Sequence, residues 1–168
     1  MTLTTERLTL RPLAPRDEAA VTAFYMSERS AMTGGHLPRP AAWRAFAAML
    51  GHWQARGYGL WAVTPHGDDV VLGMVGPYFP GGWPEPEIGW VLFDGAEGHG
   101  YAFEAARAAL ADAGARLGWT EIVHYIRPGN DRSIRLAERL GAKLDPQAAQ
   151  PEGGSGEALV YRQPQVAP

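Results

Sequence analysis

The stretch from Glu87 to Ala105 reads Glu-Ile-Gly-Trp-Val-Leu-Phe-Asp-Gly-Ala-Glu-Gly-His-Gly-Tyr-Ala-Phe-Glu-Ala. Its largely apolar beginning predicts a strand over Glu87–Phe93 that is buried on both faces. A loop containing Gly98 and Gly100 then leads directly into a helix, and both glycines let backbone N–H groups approach a ligand closely. Because the N-terminus of a helix carries partial positive charge, the stretch predicts a binding site for a pyrophosphate group.

Three kinds of glycine-rich phosphate loop can be compared with this stretch. A P-loop is excluded, because no Gly-Lys-Ser/Thr follows the glycines. A dinucleotide fingerprint fits poorly, because Phe103 stands where its third glycine is required. Glu121 lies near the distance expected of a ribose-binding acid, but the chain that remains is too short for a full nucleotide-binding sheet. An acyl-CoA pyrophosphate loop is the third interpretation.

The flanking sequence predicts an α+β architecture around this strand-loop-helix unit. Helices are expected after Pro15, from Pro40 to Gly57, from the glycine loop to Gly118, and over Asp131–Leu140. The further strands are expected over Thr5–Arg11, Gly59–Thr64, Val70–Val75, Thr120–Arg127 and Glu157–Arg162. Short turns favour antiparallel early strands, whereas a crossover helix joins a parallel pair. The expected fold is a mixed, mostly antiparallel sheet with a central parallel β-α-β unit, flanked by about four helices.

Composition and charge exclude several classes of protein. The chain has 168 residues, which fits one domain over residues 1–168, and its net charge is −3 without a basic run. A nucleic-acid groove and a polybasic membrane patch are therefore not expected. No apolar run approaches the roughly 18 residues of a membrane span, and no apolar leader follows Met1, so a cytoplasmic protein is the default expectation.

Neither the histidines nor the aromatic residues predict a metal or cofactor site. Cysteine is absent, and the histidines lack metal-ligand spacing, so no metal site is expected. The apolar stripe of the helix from Pro40 to Gly57 includes Trp43, Phe46 and Trp53, which we expect in the core.

Several segments of the chain together resemble one enzyme family. The segment Glu97-Gly-His-Gly-Tyr-Ala102 resembles motif A of the GNAT superfamily of acyl-CoA N-acyltransferases, Gln/Arg-x-x-Gly-x-Gly/Ala. The segment Asn130-Asp-Arg-Ser-Ile-Arg-Leu-Ala-Glu-Arg-Leu-Gly-Ala142 is similar to the family's Asn-x-x-Ser/Ala…Leu-Gly-Phe/Ala segment. Thr5–Pro12 resembles the opening strand of the RimJ/RimL-like branch, and Gly59–Val63 and Leu72–Gly76 match its paired strands. The resemblance extends from Thr5 to Tyr161.

The resemblance implies a GNAT fold and an acetyltransferase. Acetyl-CoA would be the co-substrate, and the acceptor would be a primary amine of a small molecule or a protein N-terminus. The amine would attack the thioester directly through a tetrahedral intermediate. Homodimers are common among such relatives. The residues that the resemblance assigns to acetyl-CoA binding are Val91, Leu92, Phe93, Gly98, His99, Gly100, Tyr101, Ala102 and Asn130.

Glu87 and Ser133 are the candidate catalytic residues. Glu87 stands where some GNAT enzymes carry a base, and burial there would raise its pKa; the alternative is a solvated strand-end charge paired with an arginine. Ser133 would donate a hydrogen bond to the leaving thiolate; the alternative is a helix serine facing the backbone. Asn130 is expected to be a helix N-cap as well. Glu85 and Glu157 are lesser candidates for the base.

Two departures from the family pattern support a second hypothesis. Glu97 places a negative charge where the family has Gln or Arg, and Ala137 replaces the tyrosine acid of many members. The alternative function is therefore a non-catalytic acyl-CoA-binding or interaction module. A nicotinamide oxidoreductase is a distant third. The acceptor would meet loops over Ser30–Pro40, Pro77–Pro86 and Asp145–Gly156.

Overall fold

The computed structural model describes residues 1–152 and 157–164. They form one sheet of eight strands in the order β1-β2-β3-β4-β5-β6-β8-β7. The strands are β1 (Leu3–Thr4), β2 (Leu8–Pro12), β3 (Trp61–Pro65), β4 (Gly73–Tyr78), β5 (Glu87–Leu92), β6 (Val123–Ile126), β7 (Lys143–Leu144) and β8 (Leu159–Arg162). The helices are α1 (Glu18–Met26), α2 (Arg39–Arg56), α3 (Tyr101–Leu117) and α4 (Asp131–Arg139), with short 3-10 segments at Pro15–Asp17 and Glu28–Thr33.

Two hydrophobic layers cover the two faces of the sheet. On one face, α1 and α2 pack on the strands through residues such as Phe24 and Phe46, which share a cluster with Met74. On the other face, α3 packs on Val75 and Ile88 through alanines, which bring the helix close to the strands. Side chains alternate along β5, so Glu87 and Val91 face α1 and α2, whereas Ile88 and Trp90 face α3 and α4.

The one parallel strand pair of the described sheet opens almost at once. Strands β5 and β6 are in register only at Glu87 and Val123, and the Val123 N–H donates to Pro86 O at 3.1 Å. Beyond this pair β5 stays bonded to β4, and β6 stays bonded to β8. The predicted mixed, mostly antiparallel sheet with one parallel β-α-β unit is confirmed. The space that opens between β5 and β6 is called the gap below.

The prediction that Trp43 lies in the core is wrong. Its side chain is 50% exposed, whereas Ala42, Phe46, Met49 and His52 form the buried row of α2. Successive side chains of a helix are about 100° apart around its axis. The buried face centred on Phe46 therefore includes Ala42, and Trp43 points away from it. Phe46 is buried as expected.

Two further comparisons concern the ends and loops. The edge strand β1 is not expected from the sequence as a separate strand, since it has 2 residues and two residues show no alternation. The predicted loop over Asp145–Gly156 is described only as far as Glu152, and its Gly-Gly-Ser-Gly end lies outside the described residues. None of the helices in the described part of the chain is long and apolar enough to cross a membrane.

Candidate active site

A cleft of about 1110 Å³ runs from the N-terminus of α3 to the gap. Its walls are β5, the first turn of α3, the N-terminal half of α4 and the 3-10 segment at Glu28–Thr33. Eight of the sequence-predicted residues line it together: Val91, Leu92, Gly98, Gly100, Tyr101, Ala102, Asn130 and Ser133. Phe93, His99 and Glu87 do not line this cleft.

The glycine loop brings the N-terminus of α3 to one end of the cleft. Gly98 and Gly100 have φ values of 82° and 80°, in the left-handed region that other residues rarely adopt. Gly100 is the N-cap residue of α3, and no side chain caps the helix there. The first N–H groups of a helix have no partner within it, so this end of the cleft presents donors and partial positive charge. It is suited to an anion.

Glu97 does not leave an uncompensated negative charge at this end. Its carboxylate pairs with Arg29 Nη2 at 2.7 Å and also with Arg132 Nη1. Arg29 also pairs through Nη1 with the exposed Asp94 at 3.5 Å, so the charge of Glu97 is compensated within this cluster, and both arginines line the cleft. Arg29 and Arg132 were not predicted, because their meeting with Glu97 depends on segments that are distant in sequence.

Two side chains replace the backbone bonds that β5 and β6 lack in the gap. The Glu87 carboxylate reaches from β5 and accepts the Tyr125 N–H of β6 at 3.1 Å. In the opposite direction, His124 Nδ1 of β6 lies 2.7 Å from Ile88 O of β5. Each bond satisfies a backbone group that the divergence of the strands would leave unpaired. The gap is therefore built by Glu87 on one face of the sheet and His124 on the other.

Glu87 is a buried carboxylic acid. Its residue is 8% exposed, and burial raises the pKa to about 8, while the N–H of Tyr125 acts in the opposite direction. In the described part of the chain Glu87 has no ion pair, which is at odds with the alternative of a solvated charge paired with an arginine. The lesser candidates differ, since Glu85 pairs with Arg162 and Glu157 is exposed.

Ser133 stands in the first turn of α4 with its hydroxyl next to Trp90. Asn130 Oδ1 accepts the Ser133 N–H at 3.3 Å, which confirms Asn130 as the N-cap residue. The indole Nε1–H of Trp90 donates to Ser133 Oγ at 3.2 Å. No bond donated by the Ser133 hydroxyl is found among the described residues, so its proton is free for a ligand. Trp90 was not predicted as a site residue.

The backbone of Val91–Phe93 offers fewer free amides than expected. The Phe93 N–H already donates to Leu72 O at 2.8 Å. Because alternate residues of an antiparallel strand bond to the same neighbour, the Val91 N–H also faces β4. The Leu92 N–H points to the gap instead. The binding role of the three residues stays a prediction, with Leu92 as its available donor.

His99 belongs to a smaller groove beside the main cleft. Its ring stacks on Tyr101 at 5.4 Å, and its carbonyl accepts from Arg7 Nη1 at 3.0 Å. This groove of about 620 Å³ shares Gly100, Phe103 and Arg139 with the main cleft. No group of three or more potential metal ligands occurs among residues 1–152 and 157–164.

Comparison with known proteins identifies the family. The model of the acetyltransferase (GNAT) domain matches residues 7–143. An acetyltransferase from Agrobacterium tumefaciens str. C58 is 40% identical, with a TM-score of 0.91, over 98% of this chain and 95% of that one. A putative GnaT-family acetyltransferase from Bordetella pertussis is 28% identical, with a TM-score of 0.79, over 97% of this chain and 99% of that one.

A more distant structure shares the fold alone. RimL, a ribosomal L7/L12 alpha-N-protein acetyltransferase, has a TM-score of 0.76 at 14% identity, covering 97% of this chain and 93% of that one. The chain belongs to the GNAT acetyltransferase family. It is an acyl-CoA-dependent N-acyltransferase.

Proposed function

We propose that this enzyme transfers the acetyl group of acetyl-CoA to a primary amine, on a small molecule or a protein N-terminus, as in the RimJ/RimL-like branch. The observation that carries the proposal is the arrangement of the cleft. A helix N-terminus suited to an anion lies at one end and the free hydroxyl proton of Ser133 at the other, while the buried acid Glu87 lies outside the cleft lining, in the gap between β5 and β6. The pyrophosphate of acetyl-CoA suits the first end, and its thioester suits the second.

The donor would lie along the cleft in an extended conformation. Its pyrophosphate would meet the backbone of Gly98–Ala102, next to Arg29 and Arg132. Its pantetheine arm would follow β5, where the Leu92 N–H is unpaired with β4, and would place the sulfur near Ser133. Asn130 would contribute through the shape of the helix start that it caps. His99 would contact the donor only through the groove beside the cleft.

The two catalytic residues would act from opposite faces of the sheet. Glu87, on the face of α1 and α2, would take the proton as the amine nitrogen bonds to the acetyl carbon. The C–S bond would then break, and the Ser133 hydroxyl would stabilise the departing thiolate from the α4 face. A base with a pKa near the working pH is the most effective, and about 8 meets this condition.

Ligand binding and thiol release test this function in sequence. Acetyl-CoA and CoA are expected to raise the unfolding temperature, because a ligand at ~100 times its Kd stabilises by about 2.7 kcal/mol. NAD serves as the negative control. A panel of primary amines is then expected to release CoA thiol. Stabilisation without release for any amine would favour the non-catalytic acyl-CoA-binding module, and no stabilisation would contradict the donor site itself.

Glu97→Gln is expected to tighten CoA binding. The substitution removes a negative charge beside the anion site and releases Arg132 and the Nη2 of Arg29 for a phosphate, while Arg29 Nη1 keeps its pair with Asp94 at 3.5 Å. The expected gain is about fivefold in Kd at low salt, and it should shrink as salt screens the charges. Titration calorimetry at two salt concentrations measures it. Glu138→Gln, on the exposed side of α4, is the matched control. Weaker binding in Glu97→Gln would instead mean that Glu97 holds the arginines in place.

A further inference from the structure

A continuous series of contacts leads from Gln163, the residue after β8, to the hydroxyl of Ser133. Gln163 Nε2 lies 2.9 Å from His124 Nε2, and both side chains are buried. His124 Nδ1 lies 2.7 Å from Ile88 O, and the imidazole ring packs on the Trp90 ring at 4.6 Å between centroids. Trp90 Nε1 then reaches Ser133 Oγ at 3.2 Å. Of these contacting residues, only Ser133 has a role in the proposed function.

The hydrogen bonds select one tautomer of His124. A carbonyl oxygen only accepts, so Nδ1 must carry the proton that bonds to Ile88 O. Nε2 is then the acceptor of the neutral ring, and it takes an N–H from the Gln163 amide. Burial lowers the pKa of His124 to about 4, which keeps the ring neutral. The imidazole is thus held at both nitrogens, and it fixes the surface on which Trp90 rests.

The Trp90 indole determines how the Ser133 hydroxyl can be used. An indole N–H is a donor only, so it occupies a lone pair of Oγ and cannot accept the hydroxyl proton. Ser and Thr hydroxyls in helices often donate to a carbonyl of the preceding turn. No such bond is found for Ser133 in the described part of the chain. The proton is left to point away from Trp90, toward the cleft that both side chains line.

We infer that Trp90 is a positioning residue that makes Ser133 a hydrogen-bond donor to the thiol sulfur, and that His124 and Gln163 hold the Trp90 ring for this task. The inference rests on the proposed function, because it requires the sulfur to lie at Ser133. Trp90 touches neither the acetyl group nor the amine in this account. It acts through the direction of one O–H bond.

A binding experiment that needs no acceptor tests the inference. The Kd values of CoA and of desulfo-CoA, which lacks the sulfur, are measured for the unmodified protein, Trp90→Phe, Ser133→Ala and the double variant. One net hydrogen bond corresponds to a preference for CoA of about fivefold. We expect the preference to fall by about this factor in each single variant and no further in the double variant. Trp119→Phe, packed on the same core outside the cleft, should keep the original preference.

The outcomes separate the inference from the function beneath it. If Ser133→Ala loses the preference and Trp90→Phe keeps it, the positioning role is contradicted while the proposed function stands. If Ser133→Ala keeps the original preference, the role of Ser133 in the proposed function fails. If no protein of the series binds CoA, the donor site fails.

A second variant tests the part of His124 and Gln163 while leaving Trp90 in place. Gln163→Met removes the donor to His124 Nε2 and leaves the imidazole held only through the Nδ1–H bond to Ile88 O. We expect the preference for CoA to fall by about half as much as in Trp90→Phe, in a protein that still unfolds cooperatively. A preference identical to that of the unmodified protein would show that Trp90 is held without the bond from Gln163 to His124.

Discussion

Glu87→Gln is expected to lower kcat for acetyl transfer by about 100- to 10,000-fold, the usual contribution of a positioned base. The amide keeps the size of the side chain and an oxygen that can accept the Tyr125 N–H, so the gap should keep its shape. It cannot take a proton from the amine. Because Glu87 does not line the donor cleft, the Kd for CoA should not change.

Thiol release with the best amine of the panel and calorimetry with CoA measure the two effects. Glu85→Gln is the comparison, since it removes a carboxylate two residues away whose partner is Arg162. It is expected to keep most of the activity. A loss of less than about fivefold in Glu87→Gln would be too small for a general base and would assign proton removal to water.

Arg11→Met is expected to destabilise the protein by about 3–5 kcal/mol, because it leaves a buried carboxylate without its partner. Arg11 donates to both oxygens of Asp17, at 2.8 and 2.9 Å, and the Asp17 side chain is 2% exposed. Asp17 also accepts the Ala14 N–H, which fixes the turn before α1. Urea unfolding at pH 7 measures the loss. Arg16→Met, which removes an exposed partner of Asp69, should change stability by less than about 0.5 kcal/mol.

The same pair gives a pH dependence of definite sign. Burial alone would raise the pKa of Asp17, but the hydrogen bonds from Arg11 and Ala14 lower it below its ordinary value. The pair therefore stabilises the folded protein above the ordinary Asp pKa of about 3.9, and this stability is lost as the pH falls through the depressed pKa. The difference between Arg11→Met and the unmodified protein should shrink in acid. A difference that stays constant from pH 7 to pH 3 would contradict the assignment.

The fold could be predicted because its main elements are marked locally. Glycines end α2 and α3, and the apolar run from Glu87 enters a glycine loop that is followed by residues with helical spacing. The prediction for Trp43 fails because its aromatic side chain favours burial, although the buried face of α2 runs through the adjacent Ala42. The length of contact between β5 and β6 could not be predicted, since it depends on where two strands diverge in space rather than on either sequence.

The local elements of the candidate site could be predicted from the sequence, but the side-chain contacts between distant segments could not. Asn130 and Ser133 lie within one helix start, so their relation follows from spacing. Trp90 lies in the quoted stretch, but its bond to Ser133 joins residues 43 positions apart and leaves no local pattern. Glu97 appeared to oppose an anion because Arg29 and Arg132 reach it only through the tertiary fold.

The pH dependence of kcat/KM for thiol release tests the central claim most directly, that a buried Glu87 in the gap removes the proton of the amine. For the unmodified protein, the rate should rise with pH through an inflection at about 8, as Glu87 ionises. The titration of the amine substrate also affects the rate, and the profile of Glu87→Gln shows this contribution alone. The inflection near 8 is expected in the unmodified protein and is expected to be absent from the variant. Profiles of the same shape for both proteins would contradict it.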